Sequence, residues 1–194
     1  MKRLCIAIAI VLRQHSQLRA HSAVEIGDIM RHIISILLQN EAGALARVAN
    51  LFSSRGYNIE SLNVAPTHDE TVSRLTLVTT GPDEVIDQIS KQLGKLIDVV
   101  NIIDMTDGDH IERELALFKL KLSVDDQETL AELNKEFGAR MLDDYEGYFT
   151  VELIGDSSEI DRFMTSFPNQ VEILTVVRSG AMAVARGAPV LTPT

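Results

Sequence analysis

One pattern constrains this chain more than any other: the order strand, helix, strand, strand, helix, strand occurs twice after Met30. Arg31 to Gln39 (RHIISILLQ) is an apolar, partly β-branched run suited to a buried strand. Leu45, Val48, Ala49 and Phe52 follow at i, i+3, i+4 and i+7, the spacing of one helix face, and Gly56 supplies a stop. Asn58 to Val64 and Arg74 to Thr79 read as strands around a turn at Pro66 to Asp69. Gly81-Pro82-Asp83 breaks the chain, and Val85, Ile86, Ile89, Leu93 and Leu96 mark a second helix. Asp98 to Met105 closes the first set.

Thr106 to His110 (TDGDH) is polar and glycine-containing, the best place for a boundary. The order then repeats. Leu115 to Leu122 places Ala116, Phe118, Leu120 and Leu122 on one face and Lys119 and Lys121 on the other. Leu130, Leu133 and Phe137 give a helix. Ala139 to Asp143 is a short strand, and a turn at Asp144 to Gly147 leads to a strand at Tyr148 to Ile154. Ile160, Phe163, Met164 and Phe167 form a helix that Pro168 ends, and Val171 to Val177 is the last strand. The expected fold is α+β, two consecutive ferredoxin-like βαββαβ units, each with helices on one face of an antiparallel sheet. The expected organisation is an extension at 1–29, a first unit at 30–106, a linker at 107–113, a second unit at 114–187 and a fraying tail at 188–194.

Residues 1–29 differ from the rest. Their balance is +2, so the remainder carries −12 of the net −10. Leu4 to Leu12 is an unbroken apolar run, too short to span a bilayer. It resembles a signal peptide only faintly, because His15, Arg19 and His21 intrude where a cleavage site belongs, and a transit peptide is a second option. We read the segment as an in-frame extension outside the fold. Cys5 is the single cysteine, so no internal disulfide can form, and a reducing, cytoplasmic setting is expected. The acidic balance argues against nucleic-acid and anionic-membrane partners, and the absence of Trp gives bases little to stack on.

Catalytic signals are missing. There is no phosphate-binding glycine loop, no dinucleotide turn and no Cys or His spacing for a metal. His110, Glu112 and Glu114 are close in sequence, but such a trio more often forms a solvated face. Asp143, Asp144 and Glu146 are explained equally well by a turn, and Ser53-Ser54 has no visible base partner. The chain points to binding rather than turnover, with no cofactor or metal of its own.

The turn Asn40-Glu41-Ala42-Gly43-Ala44-Leu45 is the candidate site. A strand-to-helix turn leaves backbone N–H groups unpaired near residues 43 to 46, and the helix dipole there favours an anion such as a carboxylate. Gly43 permits close backbone approach, Asn40 offers an oxygen to an ammonium group and an amide N–H to a carboxylate, and Ala42, Ala44 and Leu45 supply apolar walls. Together they suit a free aliphatic α-amino acid. On residue chemistry alone a plain capped turn, with Asn40 as helix cap, accounts for the pattern better.

The wider context shifts that balance. The run Asn40 to Leu45, followed by Arg55-Gly56-Tyr57-Asn58-Ile59-Glu60-Ser61-Leu62, resembles the ACT domain, an amino-acid-binding βαββαβ module. With His110 to Leu115, Arg178-Ser179-Gly180 and Arg186-Gly187 in order, Met30 to Gly187 is similar to the regulatory small subunits of acetolactate synthase. The resemblance implies a non-catalytic subunit. It would bind valine at the interface of an ACT homodimer, through Asn40, Glu41, Ala42, Gly43, Ala44 and Leu45 of one chain and Asn58 and Ile59 of the other. It would also activate the catalytic large subunit and confer feedback inhibition. Thiamine diphosphate, Mg and FAD would belong to that large subunit. The second unit's helix between Asp126 and Arg140 departs from the family pattern. Two other readings stay open: a stand-alone amino-acid sensor regulating another enzyme or transcription, and an enzyme with a site around His110, Glu112 and Glu114.

Overall fold

The computed structural model describes residues 30–122, 127–188 and 191–192. The expectations for residues 1–29, Cys5 included, lie outside these. The first unit runs β1 (Met30–Gln39), α1 (Ala44–Ser54), β2 (Ile59–Pro66), β3 (Val72–Gly81), α2 (Asp83–Leu93) and β4 (Val99–Asp104). The second runs β5 (His110–Lys121), α3 (Gln127–Phe137), β6 (Arg140–Tyr145), β7 (Tyr148–Gly155), α4 (Ser157–Ser166) and β8 (Glu172–Arg178), followed by β9 (Met182–Ala185). The strand orders are β2-β3-β1-β4 and β6-β7-β5-β8, the same topology twice, with antiparallel neighbours throughout.

Each sheet packs its helices on one face. In the first, Ile34, Ile36, Leu38, Leu75 and Leu77 meet Val48 and Phe52 of α1 and Ile86, Ile89 and Leu93 of α2. Of the expected stripe, Val48 and Phe52 are buried and Ala49 is half-buried, but Ala44 is buried in place of the exposed Leu45. The helix starts at Ala44 and turns about 100° per residue, which carries Leu45 round to the solvent side. In the second unit Phe163 is the hub. Its ring meets Phe118, Phe137 and Phe167 edge-on at centroid distances of 5.1, 5.3 and 4.8 Å, an arrangement that aligns ring edges with ring faces.

Two features escape local pattern reading. His110 to Arg113, expected as connecting chain, open β5 and pair with β9, a strand without its own sequence signal. This two-stranded ribbon packs beneath the first sheet, where Ala181 and Ala183 join Ile33, Val78 and Met105. Leu191, in the segment expected to fray, is buried against Leu37 and Val72. Its carbonyl accepts from Arg74 Nη2 at 3.1 Å, and Asn101 Nδ2 donates to the Thr192 carbonyl at 2.9 Å. The first sheet is thus covered on both faces, which is why β1 is buried without interruption from His32 to Leu38.

The turn Glu146-Gly147 takes positive φ at both residues, 50° and 83°, the backbone of a tight hairpin turn. Asp143 pairs with Lys119 of β5 at 3.0 Å, across Thr150 of the intervening β7. The acids at 143, 144 and 146 therefore serve strand and turn.

Candidate functional site

The turn between β1 and α1 is held on both sides by the backbone. Gln39 N–H donates to the Asp98 carbonyl at 2.8 Å, and Asn40 N–H donates to Thr71 at 2.7 Å. The Asn40 side chain donates from Nδ2 to the Glu70 carbonyl at 2.9 Å. Asn40 therefore does not cap the helix. The cap position is Gly43 at φ +91°, without any side-chain cap hydrogen bond. Its left-handed backbone is one an L side chain adopts only at a cost.

Among the described residues, the amides of Gly43, Leu45 and Ala46 find no acceptor. No acid sits in the first turn of α1, whereas α2 carries Asp83 and Glu84 there and α4 closes its own amides with an Asp156–Glu159 capping box. The start of α1 is an unfilled set of donors at the positive end of a helix. Beside it stand exposed Glu41, Ala42 and Asn40, whose Oδ1 is uncommitted among the described residues, and Leu45, 37% exposed although apolar. Ala44, expected as a wall, is instead buried in the core.

Arg47 and Asp98 are the residues sequence reasoning missed here. The guanidinium of Arg47 reaches over Gly43 and grips buried Asp98 with two nitrogens, Nη2 at 2.6 Å from Oδ1. The hydrogen-bonded guanidinium holds the Asp98 carboxyl below its ordinary range, outweighing burial. A Cβ added to Gly43 would stand 3.0 Å from Arg47 Nη1. Gly43 thus makes room for the brace that ties the turn to the start of β4. No spacing rule connects positions 47 and 98; only the sheet order brings them together.

Asn58 and Ile59 lie elsewhere. Asn58 is exposed, just before β2, and its carbonyl accepts from Thr79 Oγ1 at 2.7 Å. Ile59 pairs with Thr79, whereas Gln39 pairs with Val72. Seven residues of β3 separate the two pairings, about 23 Å along a strand. Within one chain the two halves of the expected site therefore stand at opposite ends of the sheet. The strand carrying Asn58 is an edge strand, and its Val64 is apolar and 41% exposed.

His110, Glu112 and Glu114 form neither a metal site nor a solvated face. Among the described residues no group of His, Cys, Asp and Glu could hold a metal ion. Arg31 of β1 forks onto Glu112 at 3.0 and 2.7 Å, and Ser157 at the start of α4 donates to the same carboxylate at 2.8 Å. Burial pushes the Glu112 carboxyl up, but Arg31 and Ser157 together outweigh it and hold it below the usual range. Glu114, 3% exposed, is gripped by Arg178 at 2.8 and 2.7 Å. That hydrogen bonding raises the Arg178 guanidinium further above its ordinary value against the opposing effect of burial. The His110 ring lies 2.8 Å from the Gly108 carbonyl. These groups line a cleft of about 970 Å³ between the units, with both carboxylates committed to arginines.

Two ferredoxin-like units, the first with unpaired backbone donors at the start of α1, give the architecture of an ACT-type chain. Residues 34–101 match the family described as AHAS small subunit-like ACT domain, and residues 113–187 match the small subunit of acetolactate synthase. The isozyme 3 small subunit of acetolactate synthase from Salmonella typhimurium is 45% identical over 158 residues, spanning 81% of this chain and 97% of the relative. Its Escherichia coli counterpart is 44% identical over the same spans. The crystal structure of the acetolactate synthase small subunit from Thermotoga maritima superposes with a TM-score of 0.75 at 31% identity, covering 83% of this chain and all of that one. The chain belongs to the acetolactate synthase small-subunit family and is a regulatory small subunit whose first unit is an ACT domain.

Among the described residues no helix is long and apolar enough to cross a membrane.

Proposed function

We propose that this chain binds valine between the ACT units of a homodimer and so controls a catalytic large subunit of acetolactate synthase. In this reading it activates that subunit and makes it subject to feedback inhibition by the end product of branched-chain amino acid synthesis. Thiamine diphosphate, Mg and FAD belong to the large subunit, and the complex works in the cytoplasm.

The observation that carries the reading is the uncapped start of α1. Three free amides and a helix dipole suit the ligand carboxylate, Asn40 Oδ1 suits the ammonium group, and Leu45 suits a branched aliphatic side chain. The separation of Asn58 from that turn calls for a second copy. If β2 of one chain pairs antiparallel with β2 of its mate, Asn58 and Ile59 come to the mate's Pro66 end. That is the end of the sheet carrying the Asn40–Leu45 turn. The open edge and the exposed Val64 are the surface such pairing would cover.

Calorimetric titration of the full chain with valine, with lysine as control, tests the ligand. Saturable binding of valine alone is expected; equal responses to both, or to neither, would sink the amino-acid reading. Copurification with a thiamine-dependent large subunit separates this role from that of a stand-alone sensor.

A further inference from the structure

β2, which begins at the Asn58–Ile59 half of the proposed valine site, is one of the strands the second unit touches. The register of β2 on β3 slips between Ile59 and Ser61. A bulge of this kind turns the next side chain to the other face. Ile59 and Leu62 pack towards the helices, and Ser61, opposite Val78, points beneath the sheet. There it meets the link between β8 and β9. Ser61 Oγ accepts from Ala181 N–H at 3.4 Å. Gly180 lies so close that an added Cβ would stand 3.1 Å from Ser61 Cβ and 3.5 Å from Leu62 N. Gly180 also takes φ +77°.

From Gly180 the connections run on into the second unit. Its N–H donates to Glu114 Oε1 at 3.3 Å. Arg178 holds that same carboxylate, and its Nη1 donates to Asp161 of α4 at 2.8 Å. A movement of β2 at Asn58–Ile59 thus presses on a glycine tied by hydrogen bonds to α4. The two segments are joined by the Ser61–Ala181 hydrogen bond and leave no room for a side chain at position 180, so a shift of one is passed to the other.

We propose that the Ser61–Gly180 contact is the coupling point at which ligand occupancy at the ACT interface is read by the second unit. The inference rests on the valine reading above and assigns to Gly180 a positioning role, not a ligand-binding one. A side chain at 180 wedges β2 and the link apart, so the ligand still binds but its signal does not cross.

The test uses the full chain reconstituted with an acetolactate synthase large subunit. Three quantities are measured: valine Kd by calorimetry, the valine concentration giving half-inhibition, and hydrogen exchange of the α4 amides, Ser157 to Ser166, with and without valine. In the unmodified chain valine is expected to alter α4 exchange. Gly180→Ala is expected to keep Kd within about threefold, abolish the α4 response and raise the half-inhibiting concentration by about tenfold or more, a typical size for coupling between sites. Gly138→Ala is the control for backbone strain, since Gly138 has φ +69° but nothing within 4 Å of an added Cβ; it is expected to behave as the unmodified chain. Ser61→Gly by itself removes the hydrogen bond to Ala181 and the Cβ that faces position 180, and is expected to weaken the α4 response and raise the half-inhibiting concentration in the same direction. The proposal is overturned if valine binds the unmodified chain without altering α4 exchange, if Gly180→Ala keeps both the α4 response and inhibition within twofold, if Gly138→Ala loses them equally, or if Ser61→Gly leaves both unchanged. Absence of valine binding to the unmodified chain would instead overturn the valine reading on which it rests.

Discussion

Removing the Asn40 side chain separates a ligand contact from a structural one. Asn40 spends its amide nitrogen on the Glu70 carbonyl, an exposed bond of 2.9 Å. Losing such a bond costs about 0.5–1 kcal/mol, small beside the roughly 5–15 kcal/mol stability of a typical native protein. Asn40→Ala should therefore fold, with its urea midpoint lowered only slightly. One of the two Nδ2 hydrogens is spent on Glu70, and Oδ1 is free to make a charge-assisted bond to the ammonium group of an amino-acid ligand. Such bonds contribute about 1.5–3 kcal/mol, so the valine Kd should rise roughly 10- to 150-fold. Calorimetry gives the affinity, and activation of a large subunit without valine should be unchanged. A valine Kd within twofold of the unmodified chain would place the ligand away from Asn40 and refute the cradle geometry.

Other perturbations have equally definite outcomes. Gly43→Ala must hold a side chain at φ +91° and push back Arg47 Nη1, 3.0 Å from the new Cβ; the backbone strain costs about 1–2 kcal/mol, and valine affinity should fall about tenfold or more while far-ultraviolet circular dichroism is unchanged. Asp98 is depressed in the fold, so the unfolded chain takes up its proton first, near pH 4, and the stabilisation from Arg47 is full above that value and fades as pH falls through the lower folded value. Urea unfolding between pH 3 and 6 should show a shallower acid decline for Asp98→Asn than for the unmodified chain. Phe163→Ala empties the centre of the aromatic cluster and should destabilise the protein by about 3–5 kcal/mol, read as a lower urea midpoint with loss of near-ultraviolet signal.

What the sequence determined by itself is local. The alternation Ala116, Phe118, Leu120, Leu122 and the helical spacing of Ile160 and Phe163 specify buried faces, because each depends only on strand or helix geometry. The turn at Glu146-Gly147 and the donor-rich start of α1 are legible for the same reason, since both arise within a few residues. The family resemblance is carried by short motifs in order along the chain, from Asn40–Leu45 and Arg55–Leu62 to Arg178–Gly180 and Arg186-Gly187. Where the helix begins decides which of Ala44 and Leu45 is buried, and spacing alone placed that boundary a residue out.

Tertiary structure decided whatever joins remote positions. Glu112 and Glu114 look like free carboxylates until Arg31 and Arg178 arrive from strands 81 and 64 residues away. The second face of β1 is buried because the chain returns at Ala181, Ala183 and Leu191 to cover it. Asn40 and Asn58 are 18 positions apart, yet the parallel course of β1 and β2 sends them to opposite ends of one sheet. A pattern along one dimension records which faces are apolar. Which surface meets which is set by the global pairing of strands and the packing of the units, which separate the two halves of the proposed ligand site and bring Ser61 against Gly180.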